Sequence, residues 1–99
     1  MLEILYCVMS GRSREWPRVS RRHLLDNAKC VCCLKRAVVV HHKTPVSVDK
    51  GLELDAANLA SMCKRCHFVF GHYCNWADWN RNFDTVVRQF RAAFVPGLK

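Results

Sequence analysis

The stretch that decides the fold of this chain is CVCCLKRAVVVHHKTPVSVDKGLELDAANLASMCKRCHFVFGH, residues 30–72. It contains two Cys-x2-Cys pairs, Cys30 with Cys33 and Cys63 with Cys66. Such pairs, about thirty residues apart, are typical of a structural zinc site, because Zn²⁺ prefers four soft ligands in a tetrahedron. The sequence therefore predicts a zinc ion held by the four thiolates.

Cysteine usage also indicates the redox environment. The chain has seven cysteines. Their odd number and tight pairing argue against a secreted disulfide framework and favour metal binding in a reducing cytosol. Two alternatives stay open. Cys32, which lies inside the first pair, is an alternative ligand, and all of these thiols could instead be reduced core cysteines.

The pattern between the cysteine pairs predicts two strands and a helix. The β-branched run within 35–41 predicts a strand with His41 and His42 at its far end. Residues 52–54 predict a short second strand, and Asp55 suits the N-cap of a helix. The helix would carry Asn58, Leu59, Met62, Cys63, Cys66, His67 and Phe70. Several of these apolar residues recur at three- and four-residue steps, as on one helical face.

Two further helices are predicted on either side of this segment. Pro17 suits a first helical turn, and apolar positions within 17–27 form part of one face. A stronger amphipathic pattern covers residues 82–94, with an apolar stripe that includes Phe94. Core packing is the expected role of the three tryptophans, Trp16, Trp76 and Trp79.

Length and charge restrict the function further. The 99 residues make a single domain, 1–99, whose core is marginal without a metal. The formal net charge is +8, and residues 12–36 carry eight basic side chains against two acidic ones. A domain this basic more often binds nucleic acid phosphates than presents a solvated basic face. Candidate phosphate contacts are Arg18, Arg21, Arg22, Lys64 and Arg65.

The first residues form an apolar run, 1–9. It is too short to span a membrane and has neither a basic leader nor a clear cleavage site. We predict an N-terminal arm over 1–11, with an edge strand or docked segment over 4–8, and no membrane partner.

Three motifs in order resemble the HNH endonuclease family, and in particular its small phage and prophage members. They are VHHKTP at 40–45, LDAANL at 54–59 and CKRCH at 63–67, followed by FVFGH. The similarity is specific, because several residue types must follow one another at limited spacings. It implies an α+β fold: a small zinc-stapled ββα-metal core over 30–72 with flanking helices.

The resemblance also implies roles for the polar residues. His42 matches the general base that takes a proton from the attacking water. Asn58 matches the residue that braces the loop and orients this base. His41 and His67 match ligands of a catalytic divalent cation, which would be Mg²⁺, Mn²⁺, Ni²⁺ or Zn²⁺.

The third ligand of that cation departs from the family pattern. Many relatives have a ligand at the position of Gly71, which has no ligating side chain, so the candidate is His72, one residue further on. An alternative is that the histidines belong to the zinc set, with His67 replacing Cys66.

The resemblance thus implies a metal-dependent HNH endonuclease that hydrolyses DNA and leaves 5′-phosphate and 3′-hydroxyl ends. It suggests a phage or prophage protein in the bacterial cytoplasm, with packaging or recombination proteins as partners. A non-catalytic zinc-stabilised DNA-binding module is the first alternative, and it would not need His42. A basic zinc protein that regulates a partner protein is the second, and the net charge argues against it.

Overall fold

The computed structural model describes residues 12–95. Its longer helices are α1 (Trp16–Asp26) and α3 (Phe83–Phe94). Between them lie strand β1 (Val39–His42), 3-10 turns at Lys50–Leu52 and Ala56–Asn58, strand β2 (Leu59–Met62), the one-turn helix α2 (Lys64–Cys66) and a π-helical turn (His67–Gly71). The predicted α+β class is confirmed. The predicted N-terminal arm, with its edge strand, lies outside the described residues.

The sheet consists of β1 and β2, which pair antiparallel with His41 opposite Ala60 and His42 opposite Leu59. β1 begins at Val39 rather than at residue 35, and His41 and His42 lie at its far end, as the sequence predicted. His41 and His42, the last two residues of β1, are both buried.

The second strand was predicted at the wrong place. Residues 52–54 lie in and just after a 3-10 turn, and the partner of β1 is Leu59–Met62, which the sequence had placed in a helix. All four residues of β2 are buried, so strand pairing and burial together outweigh the helical spacing. Asp55 does cap, but only a 3-10 turn, by accepting a hydrogen bond from the Ala57 N–H at 3.0 Å.

The two flanking helices are confirmed to within one residue at each end. α3 packs Phe83 and Val87 into the core, whereas Phe94 is 71% exposed, so the predicted apolar stripe is not buried along its whole length. The buried core cluster comprises Cys30, Cys32, Ala60, Met62, Cys66, Phe83 and Val87. Within 12–95, no helix is both long enough and apolar enough to cross a membrane.

Candidate active site and cysteine cluster

The two cysteine pairs converge on one point. The ligand atoms of Cys30, Cys33, Cys63 and Cys66 all lie within 4.8 Å of one another, and the Sγ atoms of Cys33 and Cys63 are 3.8 Å apart. Four sulfurs placed about 2.3 Å from a zinc ion in a tetrahedron are separated by about 3.8 Å. These donors therefore fit a tetrahedral zinc site.

Local backbone geometry shapes the first pair into a knuckle. The Leu34 N–H donates to the Cys30 carbonyl at 3.0 Å, and Leu34 adopts the left-handed conformation, with φ of 66°. Lys29 and Arg36 then pair across the base of the knuckle. Cys32 lies in the core beside this group and interacts with Cys66, but it is not one of the four converging thiols, and burial raises its pKa to about 11. This geometry favours the register with Cys30 and Cys33.

In the second pair, hydrogen bonds stabilise the negative charge of the Cys63 thiolate. The Cys66 N–H donates to Cys63 Sγ at 3.4 Å. Burial raises the pKa of Cys63, but hydrogen bonds from Cys66 and the neighbouring thiols outweigh it and lower this pKa to about 7. A thiolate, the form that binds zinc, is therefore favoured at this position.

A second group of possible metal ligands is formed by His41, His67 and His72, whose ring nitrogens lie within 4.8 Å of one another. The Nε2 atoms of His67 and His72 are 3.2 Å apart. His72 Nδ1–H donates to the Asp78 carbonyl at 2.7 Å, which leaves the Nε2 lone pair directed at the group. We call these three residues the histidine cluster.

His41 has a buried ring nitrogen that is available to bind a metal ion. It is 2% exposed, and among the described residues its Nε2 has no hydrogen-bond partner. Burial, with the neighbouring histidines adding to it, lowers its pKa to about 3 and that of His67 to about 4. Both rings are therefore neutral at physiological pH. Neutral imidazoles with a buried unpaired nitrogen fit a divalent cation, which would bond to that nitrogen.

The π-helical turn explains the unusual spacing of the cluster. In an α-helix, residues five apart point about 140° away from each other. A π-helical turn holds one more residue, so His67 and His72 come to the same side. Gly71 permits this arrangement: a Cβ there would lie 2.9 Å from His41 Cε1 and 3.2 Å from His67 Cδ2. The π-helical turn could not be predicted from the sequence, because it depends on the packing of Gly71 against the rings of His41 and His67.

His42 follows His41 at the end of β1 and has its own set of contacts, with Glu53, Arg12 and Trp16. Its Nε2–H donates to the Glu53 carbonyl at 2.9 Å, which leaves Nδ1 as the unprotonated nitrogen. The Arg12 guanidinium donates to that Nδ1 at 3.2 Å. Burial lowers the pKa of His42; the hydrogen bond to the Glu53 carbonyl opposes this shift, and the charge of Arg12 adds to it. The Trp16 ring lies 4.4 Å from the His42 ring, so Trp16 covers this histidine instead of packing in the core cluster.

Asn58 is buried and joins the two ends of the loop between the strands. Its Oδ1 accepts from the Thr44 N–H at 2.8 Å, and its Nδ2 donates to the carbonyls of Thr44 and Leu52 at 3.1 and 3.2 Å. Leu52 precedes Glu53, whose carbonyl orients His42. The contact that links Asn58 to His42 is therefore indirect and runs through this loop.

His42 and the histidine cluster line the same cleft, which has a volume of about 500 Å³. Its lining includes His42 and Arg12, the three members of the histidine cluster, and Trp76. Trp76 is 60% exposed and contacts the rings of His67 and His72, so the prediction that it anchors the core is wrong. Trp79 is half-buried, with the Arg81 guanidinium 4.5 Å from its ring.

The predicted phosphate contacts all lie on the surface. Arg18 and Arg22 form i,i+3 and i,i+4 pairs with Glu15 and Asp26, at 3.5 and 3.1 Å. Such exposed pairs are weak, so both guanidinium groups remain able to bind phosphate. The other three candidates, Arg21, Lys64 and Arg65, are also exposed. Arg12 was missed as a site residue, because only the fold brings it to a histidine thirty positions away.

Comparison with known proteins points to one family. The profile of the HNH endonucleases matches residues 30–68. A similar solved structure is the HNH endonuclease of the deep-sea thermophilic bacteriophage GVE2, determined with a manganese ion. The two share 46% sequence identity, with a TM-score of 0.52, over 56% of this chain and 66% of the phage protein, just under two thirds of its length. Comparison with curated proteins gives no match.

Proposed function

We propose that this chain, whose residues 30–68 carry an HNH endonuclease domain, is a metal-dependent endonuclease that hydrolyses phosphodiester bonds in DNA. The observation that carries the proposal is the shared cleft, which His42 and the histidine cluster both line. A phosphodiester in this cleft would meet a neutral base and a cation site at once. Phosphodiester hydrolysis needs both an activated water and charge stabilisation.

His42 is the general base in this proposal. The Glu53 carbonyl accepts its Nε2–H and so keeps the Nδ1 lone pair available to take a proton from water. Its lowered pKa keeps the ring neutral at physiological pH. Asn58 acts as a positioning residue, because it ties down the loop that supplies that carbonyl.

Arg12 is a phosphate ligand in this proposal. Its guanidinium sits against His42 Nδ1 and lies 5.4 Å from the centroid of the Trp16 ring, within the cleft. A phosphate oxygen is a better acceptor for arginine than a neutral imidazole, since the bond becomes charge-assisted on both sides. Incoming DNA would therefore draw Arg12 from Nδ1 to the phosphate and leave that nitrogen for the attacking water.

The histidine cluster holds the catalytic cation. A divalent metal bound there would supply Lewis-acid stabilisation of the charge on the phosphate and on the departing oxygen. His72 orients its Nε2 by donating to the Asp78 carbonyl, and His41 directs an otherwise unpaired nitrogen to the same place. The relative with manganese supports a divalent cation, and Mg²⁺, Mn²⁺, Ni²⁺ and Zn²⁺ are the candidates.

The cysteine cluster has a structural role in this proposal. One zinc ion on Cys30, Cys33, Cys63 and Cys66 would join the first knuckle to α2. Because His67 follows Cys66 directly, the same ion would also fix the start of the π-helical turn. Structural zinc thus supports the second site without taking part in its chemistry.

The DNA partner is supported by charge. The exposed arginines of α1 and the cations Lys64 and Arg65 would contact the phosphate backbone, and the net charge of +8 would attract it. Likeness to a phage enzyme supports a phage or prophage origin, action in the bacterial cytoplasm, and packaging or recombination proteins as further partners. We also propose that cleavage leaves 5′-phosphate and 3′-hydroxyl ends. Residues 1–99 form a single domain in this proposal.

Plasmid nicking tests the function directly. The purified protein is incubated with supercoiled plasmid and magnesium, manganese, nickel or zinc, each with and without EDTA. We expect metal-dependent conversion to nicked or linear DNA that EDTA abolishes. If none of the four metals supports cutting while DNA is still bound, the non-catalytic DNA-binding module is the better assignment.

A further inference from the structure

Trp76 stands at the edge of the cleft, and no step of the proposed chemistry uses it. The residue is 60% exposed, although it is one of the largest apolar side chains in the protein. Its ring centroid lies 4.9 Å from that of His72 and 5.1 Å from that of His67. Tryptophan combines an apolar ring with a polar N–H group and is enriched at binding interfaces.

The backbone holds Trp76 in this position. After the π-helical turn the chain reverses through Tyr73 and Cys74, which both have positive φ, 52° and 62°. The Cys74 N–H donates to the Phe68 carbonyl at 2.9 Å. Buried Asn80 donates to the Phe70 carbonyl at 2.8 Å. These bonds fold the segment back on the turn, so that the indole ring rests on the edge of the cleft.

The surroundings of Trp76 suit a nucleotide. The same cleft contains Arg12 and Lys50, which offer positive charge to a phosphate, and the indole provides a flat apolar face. Aromatic side chains beside a basic groove are how proteins bind unpaired nucleic acid strands, because every base has a π-face. The ring touches two members of the histidine cluster, so a base on it would belong to a nucleotide next to the one being cut.

We propose that Trp76 is a nucleobase-stacking subsite, which binds the base of a nucleotide adjacent to the scissile phosphate. The inference rests on the proposed function, since the cleft must hold a DNA strand. Bases inside a duplex are already stacked on their neighbours, and drawing one out is costly. The subsite therefore selects DNA with an unstacked base at the cut: single strands, frayed ends or distorted duplexes.

The test compares two probes of equal charge. One is a short oligothymidylate, and the other is an abasic deoxyribose phosphate oligomer of the same length. Binding of each is measured by fluorescence anisotropy without added divalent metal, so that cutting plays no part. The protein with Trp76 should prefer the base-bearing probe by roughly 5- to 150-fold, the range of one base–aromatic stack.

Variants then assign that preference to one residue. Trp76→Leu should bind both probes about equally, and Trp76→Phe should keep part of the preference. Trp79→Leu is the matched control, because Trp79 is half-buried and stacks with Arg81; it should keep the full preference. A merely structural role for Trp76 would change the affinity for both probes alike and leave their ratio intact.

A ratio unchanged in Trp76→Leu overturns the subsite. If that variant does not fold, the tryptophan fluorescence of the parent protein is measured with each probe instead. Oligothymidylate should quench this fluorescence more than the abasic probe does, and Trp76→Phe should remove the difference. Equal quenching by the two probes likewise overturns the proposal. The two proposals fail separately. A protein that shows the preference but never cuts is not a nuclease, whereas one that cuts without the preference lacks the subsite.

Discussion

The Nε2 atoms of His67 and His72 lie 3.2 Å apart across one π-helical turn. Two imidazole nitrogens each about 2.1 Å from a common cation are separated by this distance when the angle at the cation is about 100°. The backbone thus brings both donors to a usable separation without a metal to pull them together. The π-helical turn thus places His72, the residue after Gly71, beside His67.

Gly71→Ala should damage the histidine cluster. The added methyl group would press on the rings of both His41 and His67, the nearest atom being 2.9 Å away. We expect a loss of about 1–3 kcal/mol in unfolding free energy, as for other overpacked sites, and weaker binding of Mn²⁺. Urea unfolding and a manganese titration measure the two effects.

Gly51→Ala is the matched control. A methyl group there meets only the exposed side chain of Asp49, at 3.2 Å, so stability should change by no more than about 0.5 kcal/mol. If Gly71→Ala binds manganese as tightly as the parent does, the close packing of the cluster is not required for metal binding.

The order of the elements was predictable, whereas their register was not. The β-branched residues before His41 predict β1, and the ordered motifs predict a strand–strand–helix core. Leu59 and Met62, however, are buried in a strand at a spacing that equally suits a helix. Only their pairing with β1, about twenty residues earlier, distinguishes the two.

The parts of the site that were missed depend on contacts between distant residues. The position of Arg12 beside His42 requires α1 to lie near β1, and no local pattern encodes that contact. The exposure of Trp76 follows from a turn with two left-handed residues, neither of them glycine. Tryptophan side chains in general favour burial, so the residue type alone predicted a core position for Trp76, and that prediction was wrong.

Removal of a zinc ligand should unfold the protein. Serine in place of Cys30, Cys33, Cys63 or Cys66 leaves three thiolates, and metal binding in small zinc domains contributes on the order of 10 kcal/mol to folding. Elemental analysis should find one tightly held zinc ion per parent chain. Circular dichroism of each variant should show loss of the folded signal.

Two other cysteines are controls for that experiment. Cys74 is exposed, so Cys74→Ser should be neutral. Cys32 is buried in the core, and Cys32→Ala should lower stability while zinc content stays at one per chain. A zinc-free Cys32→Ala protein would instead support the alternative register, and a parent that folds cooperatively without zinc would remove the structural role altogether.

Stability without added divalent metal should fall as the solution is acidified. Burial holds the pKa values of His41 and His67 at about 3 and about 4 in the folded protein, against about 6.5 in the unfolded chain. Between these limits the unfolded chain binds protons that the folded protein does not. The stabilisation is therefore complete above the unfolded value and is lost as pH falls.

Urea unfolding near pH 7 and near pH 5 measures this effect, with an upper limit of about 1.4 kcal/mol per pH unit for each histidine. Protonation of the zinc thiolates has the same sign, so the informative quantity is the difference between the parent and His67→Gln. That variant should lose less stability on acidification. An equal loss in both proteins would show that His67 does not resist protonation in the fold.

His42→Ala separates catalysis from binding. The cysteines hold the proposed zinc and His42 contacts none of them, so fold, zinc content and DNA affinity should be nearly those of the parent. Plasmid cutting should nonetheless fall by roughly 10²- to 10⁴-fold, the usual contribution of a positioned general base. Added metal should not restore it, because the missing group is a proton acceptor.

His67→Ala removes a proposed ligand instead, so high metal concentrations should partly restore its activity. Asn58→Ala should lie between these two variants, since it only loosens the loop that presents the Glu53 carbonyl. Nicking rates of the three variants across a manganese titration distinguish these outcomes, with circular dichroism and zinc content as controls. Parent-like cutting by His42→Ala would exclude this residue as the base, and rescue of His42→Ala by metal would assign it to the cation site.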